Sequence, residues 1–166
     1  MWVRSEYAGE LAVLSAWLCA LLPWSVSYAS QGGLRLYRIH FLYLFFQFIP
    51  GIDFGQYDTP YLLVYRAPGF PDNADVAFGY QLWILAAAVF TAALALSAVY
   101  YVYDERLEAR LPVDPVRLMG VLLILAAVPL TASTYLLFTG FAGITIPVGI
   151  LFMYLLGGLL LVVERT

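Results

Sequence analysis

The sequence predicts a membrane protein of the all-α class: a four-transmembrane-helix bundle whose first outer loop contains a β-hairpin. Three observations carry that expectation. Of 166 residues, 63% are hydrophobic and 11% charged, and mean hydropathy is +0.86, so there is too little polar surface to cover a water-soluble globule. Four apolar stretches, about 11–28, 79–103, 116–138 and 144–163, approach the ~20 helical residues that cross a hydrocarbon core. Between the first two lies a long segment, about 29–75, rich in aromatic and turn-forming residues. The whole chain reads as one membrane domain.

The first helix, Leu11 to Tyr28, has Ser5 as its candidate N-cap. A cleaved signal peptide is the rival reading, since Ser27-Tyr28-Ala29 supplies small residues after an apolar run. Glu6 and Glu10 oppose it, because that flank should be positive. Next, Leu34 to Ile49 reads as a strand rich in Phe, Tyr and Ile, joined through Ser30-Gln31-Gly32-Gly33 to Trp24–Ala29 as a hairpin. Both faces of that strand carry large apolar side chains, so one face is expected on the helices and the other on a partner, a second strand or lipid headgroups. Pro50, Pro60, Pro68 and Pro71, with Asp53, Asp58, Asp72 and Asp75, make the remainder an irregular acidic loop.

Asp75 is the candidate cap of the second helix, Gly79 to Tyr103, and Asp104–Arg110 reads as its mixed-charge extension, broken by Leu111-Pro112. Asp114-Pro115 opens the third helix, Val116 to Phe138, with a cap followed by proline at the first helical position. An uncharged turn, Thr139 to Gly143, leads to the fourth, Ile144 to Val163. Pro129 and Pro147 are expected to kink their helices.

All eight basic residues are arginine. Arg4, Arg106, Arg110, Arg117 and Arg165 fall on one side of the four-span layout, which makes that side and both termini cytoplasmic in a multi-pass protein of the cell membrane. The absence of lysine and the acidic loops fit a GC-rich, high-salt source.

Composition also excludes function classes. A net charge of -3 and a pI near 4.9 oppose nucleic acid as a partner. The lone Cys19 forms no internal disulfide. Apart from Arg117 at the edge of the third, the four apolar stretches hold no Asp, Glu, Lys, Arg or His, which disfavours a proton pump or a secondary active transporter. His40 is the only histidine and Cys19 falls within the first membrane stretch, so no Cys/His dyad and no zinc set is expected. The acidic loop has no EF-hand spacing. The expectation is a protein that is not an enzyme, with no cofactor and no metal.

Contact signals are stronger than catalytic ones. Trp24, Arg35, Arg38, His40, Phe41 and Tyr43 are the candidate interaction residues of the outer loop. Ala88 and Ala92, beside Ala87, Thr91 and Ala95, and Gly149 and Gly157, two turns apart, make smooth helix faces for close packing within the bundle or between protomers. The expected role is an accessory subunit or scaffold acting through the outer loop, with the lipid bilayer, other membrane proteins or copies of itself as partners. The alternative is a channel or carrier for a neutral or lipidic solute, prompted by the two helix prolines and by Thr131, Ser133 and Thr134.

Two resemblances follow from particular residues. Pro23-Trp24 at the exit of the first helix and Gly33-Leu34 in the loop make the layout similar to the claudin-like arrangement of four helices and a strand-bearing first loop. The two loop cysteines of claudins are missing here, so paracellular sealing does not carry over. The opening RSEYAGELAVLS and the DPVRLMG of the third helix resemble small uncharacterised multi-pass proteins of halophilic archaea, which bring no assigned activity.

Overall fold

A computed structural model describes residues 7–51, 60–110, 112–140 and 143–163. Helix α1 (Ala8–Leu21) stops just ahead of Pro23, which disfavours helical backbone before it. Four strands follow, β1 (Ser25–Gln31), β2 (Leu34–His40), β3 (Leu44–Phe48) and β4 (Tyr61–Leu63). A 3-10 turn, Val64–Gly69, leads into α2 (Ala74–Arg110), which has non-helical backbone at Tyr103. Then come α3 (Pro115–Gly140), β5 (Ile144–Pro147) and α4 (Gly149–Val162).

The strands form a five-stranded sheet of order β4-β3-β2-β1-β5, antiparallel at every pairing. Gln31 pairs with Leu34 across Gly32 and Gly33, whose φ values of 60° and 85° give the two-residue turn its twist. The expected hairpin is therefore present, but the expected long strand is two strands. The chain folds back over Phe41–Tyr43, where all three carbonyls find donors: Trp24 Nε1 to Phe41 O at 3.1 Å, Trp83 Nε1 to Leu42 O at 2.9 Å, and the Val64 amide to Tyr43 O at 2.8 Å. A buried reversal is stable only with its backbone satisfied in this way.

The expected four-transmembrane-helix bundle is not what forms. Ser25–Tyr28, placed in the first span, belongs to β1, and Ile144–Pro147, placed in the fourth, is β5 paired with it. Ile144, Thr145 and Ile146 are β-branched and suit a strand, and Pro147 closes that strand rather than kinking a helix. What remains of α1 and α4 is 14 residues each, about 21 Å at 1.5 Å per residue, against a hydrocarbon core of about 30 Å. Among the described residues two helices are long and apolar enough to cross a membrane: α2 over Ala74–Tyr103 and α3, with mean hydropathies of 2.3 and 2.2. The four-span layout behind the likeness to claudins falls with this correction.

Helix starts were partly legible. Asp114 caps α3 as expected, its Oδ1 accepting from the Val116 amide at 3.0 Å. For α2 the cap is Asn73 instead of Asp75: its Oδ1 accepts from the amides of Asp75 at 2.8 Å and Val76 at 3.3 Å. The Ser5 cap, with Arg4, Glu6, Asp53, Asp58 and Arg165, lies outside the described residues.

α3 packs between α2 and α4, and α1 touches all three other helices. Close approaches occur at glycines: a Cβ on Gly120 of α3 would sit 2.8 Å from the Gly157 carbonyl of α4. The inner face of the sheet lies on the first turns of α2, where Tyr80 and Trp83 are fully buried.

Candidate functional site

Cross-strand register sorts the sheet into two unlike faces. The inner rows are Leu62, Phe45, His40, Ser25 and Pro147, then Gln47, Arg38, Ser27 and Thr145, then Leu36 and Ala29. The outer rows are Tyr61, Phe46, Ile39, Val26 and Ile146, and Phe48, Tyr37, Tyr28 and Ile144. The inner face thus mixes polar and apolar side chains, whereas the two outer rows are apolar, with the polar pair Arg35 and Ser30 on that side only beside the β1–β2 turn.

On the inner face Arg38 is held by its fork: Nε and Nη2 donate to Gln47 Oε1 at 3.1 and 2.7 Å, and Nη1 donates to Tyr80 OH at 3.0 Å. Its guanidinium also lies 5.1 Å from the Phe45 ring and 5.5 Å from that of Phe70, close enough for cation–π attraction. Ser27 and Thr145 share a hydroxyl hydrogen bond at 2.9 Å, tying β1 to β5. His40 Nδ1 meets Ser25 Oγ at 3.1 Å, while Nε2 has no hydrogen-bond partner among the described residues. Four rings, Trp24, Phe45, Trp83 and Tyr80, surround the imidazole with centroids 5.0 to 6.1 Å away. Burial there, reinforced by the Arg38 charge, pushes the His40 pKa down to about 3, so the ring is neutral. A buried neutral imidazole and a fully engaged guanidinium make a structural seam, not an acid–base pair open to substrate.

The outer face offers no such partners. Ile144 and Ile146 are 57% and 56% exposed, and Tyr37, Phe48 and Tyr61 are exposed as well. Its flanking edge strands are short, three residues in β4 and four in β5, which blunts strand addition and leaves the face itself for contact.

The six interaction residues expected from the sequence separate accordingly. Trp24, Arg38 and His40 come together beneath the sheet. Phe41 is half-buried in the reversal, Arg35 is exposed beside the β1–β2 turn, and Tyr43 is exposed with its hydroxyl 2.8 Å from Thr91 Oγ1. Sequence reasoning missed half-buried Tyr28 and the exposed Tyr37, Ile144 and Ile146 on the outer face; strand alternation from Ser25 would have found the first two. Of the packing residues, Gly149 is buried against the Pro23 carbonyl and Gly157 against that of Gly120, whereas Ala88 and Ala92 lie exposed on α2. Among the described residues no three of His, Cys, Asp and Glu gather as a metal set.

The chain belongs to the family of unknown function DUF7549, whose model matches residues 1–165. Among curated proteins none matches it.

Proposed function

We propose that this protein is a non-catalytic component of a membrane assembly, anchored by α2 and α3 and docking a protein partner on the outer face of its sheet. The observation that carries the reading is the outer face of that sheet, where one apolar row runs across all five strands and a second across four. Folding alone accounts for apolar residues against the helices. It gives no reason for two rows of Ile, Val, Tyr and Phe on the opposite side, and contiguous exposed apolar patches mark sites of interaction. At about 4.8 Å between strands the five-strand row is roughly 20 Å across, a platform suited to one folded partner or a second copy.

Membrane anchoring is supported by the low coverage of the two long helices: 33% and 39% of their apolar windows is buried inside the protein, where the core helix of a soluble protein is mostly buried. Arg117 at the start of α3 favours a cytoplasmic α2–α3 connection. Gly9 of α1 lies against Tyr100 near that end, and Leu160 of α4 lies near Gly120, so both termini are assigned to the same side. The lysine-free acidic composition fits a high-salt habitat. The carrier reading has weaker support, because Thr131 and Thr134 bond carbonyls of their own helix.

Photoreactive amino acids at Tyr37 and Ile146, activated in native membranes, test the proposal. Both positions should cross-link to one and the same protein, and a probe at Leu125 on α3 should not. Labelling of lipid alone at Tyr37 and Ile146 would overturn it.

A further inference from the structure

Between the last turns of α3 and the first turns of α4, where β5 leaves one helix and feeds the other, lies a cleft of about 320 Å³. Its end away from the sheet is closed by the hydroxyls of Thr131 and Tyr154, 3.0 Å apart. Thr134 and Thr145 are buried at its back, and Phe138 and Leu151 stand exposed at its edges.

Four of the five hydroxyls that line it are already engaged, and the fifth belongs to Tyr135, which is largely exposed. Thr131 also donates to Ala127 O at 2.8 Å, Thr134 donates to Leu130 O at 2.9 Å, and Thr145 pairs with Ser27. The walls therefore give an occupant hydrocarbon contact and few free hydrogen bonds. Water needs two to four polar partners to settle, and a charged ligand would lose its hydration without return. The volume is within the range of small-ligand sites, about 300–1,000 Å³. At roughly 30 Å³ for a water-sized group, it takes about ten methylene-sized units in a row. Its open side continues the outward surface of α3, one of the two helices long enough to span.

We infer that this cleft seats a hydrocarbon chain of a membrane lipid, an inference that rests on the membrane reading above. The hydroxyl pair sets how deep the chain reaches, and the cleft holds it between α3 and α4, beside β5.

The full chain, reconstituted in phosphatidylcholine vesicles doped with a phospholipid carrying a diazirine in its acyl chain, provides the test. After irradiation, adducts mapped by mass spectrometry should be several-fold more abundant on Phe138 and Leu151 than on Leu85 and Leu125. Those two controls are equally exposed on α2 and α3 but lie outside the cleft. L151W, which fills the cleft, should abolish that excess while leaving the controls labelled and the melting temperature unchanged. Equal labelling at all four positions would overturn the site and leave the membrane reading standing. No labelling at Leu85 or Leu125 would overturn the membrane reading itself. Disulfide-linked dimers formed by L151C without adducts in the cleft would put a second copy there, against the proposal.

Discussion

On the inner face of the sheet Arg38, His40, Ser25, Ser27 and Thr145 are buried, while on the outer face Ile144, Ile146, Tyr37, Phe48 and Tyr61 stand open. The difference shows that burial here follows pairing and not polarity. Each inner polar residue has a specific neighbour: Gln47 and Tyr80 for Arg38, Ser25 for His40, Thr145 for Ser27. Such a seam fixes the sheet in one register on α2, because sliding by one residue would bury the apolar rows and expose the polar ones. The outer face has no part in that placement and is free to serve contact.

Four measurements break or sharpen this contrast. The largest effect is expected beneath the inner face. Trp83→Ala removes a fully buried indole and its hydrogen bond to Leu42 O, and should cost about 3–5 kcal/mol in denaturant unfolding of the detergent-solubilised protein. A loss below about 1 kcal/mol would mean that the seam is not the core of the fold. Next is the helix contact that supports it: Gly120→Ala drives a methyl group onto the Gly157 carbonyl and should cost about 1–3 kcal/mol, read as a lower unfolding midpoint.

The third measurement is pH dependence. His40 has a folded pKa near 3 against an ordinary 6.5, so the unfolded chain binds the proton more readily. Its contribution is fully present above pH 6.5 and is lost progressively as pH falls toward 3. The parent should therefore lose stability on acidification faster than His40→Phe, in paired melts across that window; parallel curves would sink the assignment. The smallest effect on folding belongs to the outer face. Tyr37→Lys and Ile146→Lys should change stability by no more than about 0.5 kcal/mol yet abolish cross-linking to the partner. If they destabilise as much as Gly120→Ala, the two faces are not distinct in role.

Much of the local structure was legible. The paired glycines 32 and 33 announced the hairpin, and Asp114-Pro115 marked the start of α3. Long-range structure was not. Ile144–Pro147 adjoins an apolar helix, and hydropathy merges a short β-branched run with the helix that follows it. Only the open edge of β1, more than a hundred residues earlier, makes a strand of it. The β2–β3 reversal was hidden for a similar reason, since its three carbonyls are satisfied by Trp24, Trp83 and Val64 from elsewhere in the chain. Trp24, Arg38 and His40 were expected to meet a partner outside the protein, and they are buried instead in an internal seam.

The pairing of β1 with β5 also orders events during synthesis. Ser27 is made early and Thr145 118 residues later, so the sheet cannot close until β5 has emerged. Loop closure over that separation is slow, and the unfinished edge of β1 stays exposed meanwhile. In the docking role proposed above, Ile144 and Ile146 complete the platform, so a truncated or stalled chain would lack that strip and a partner gripping it would bind finished molecules alone.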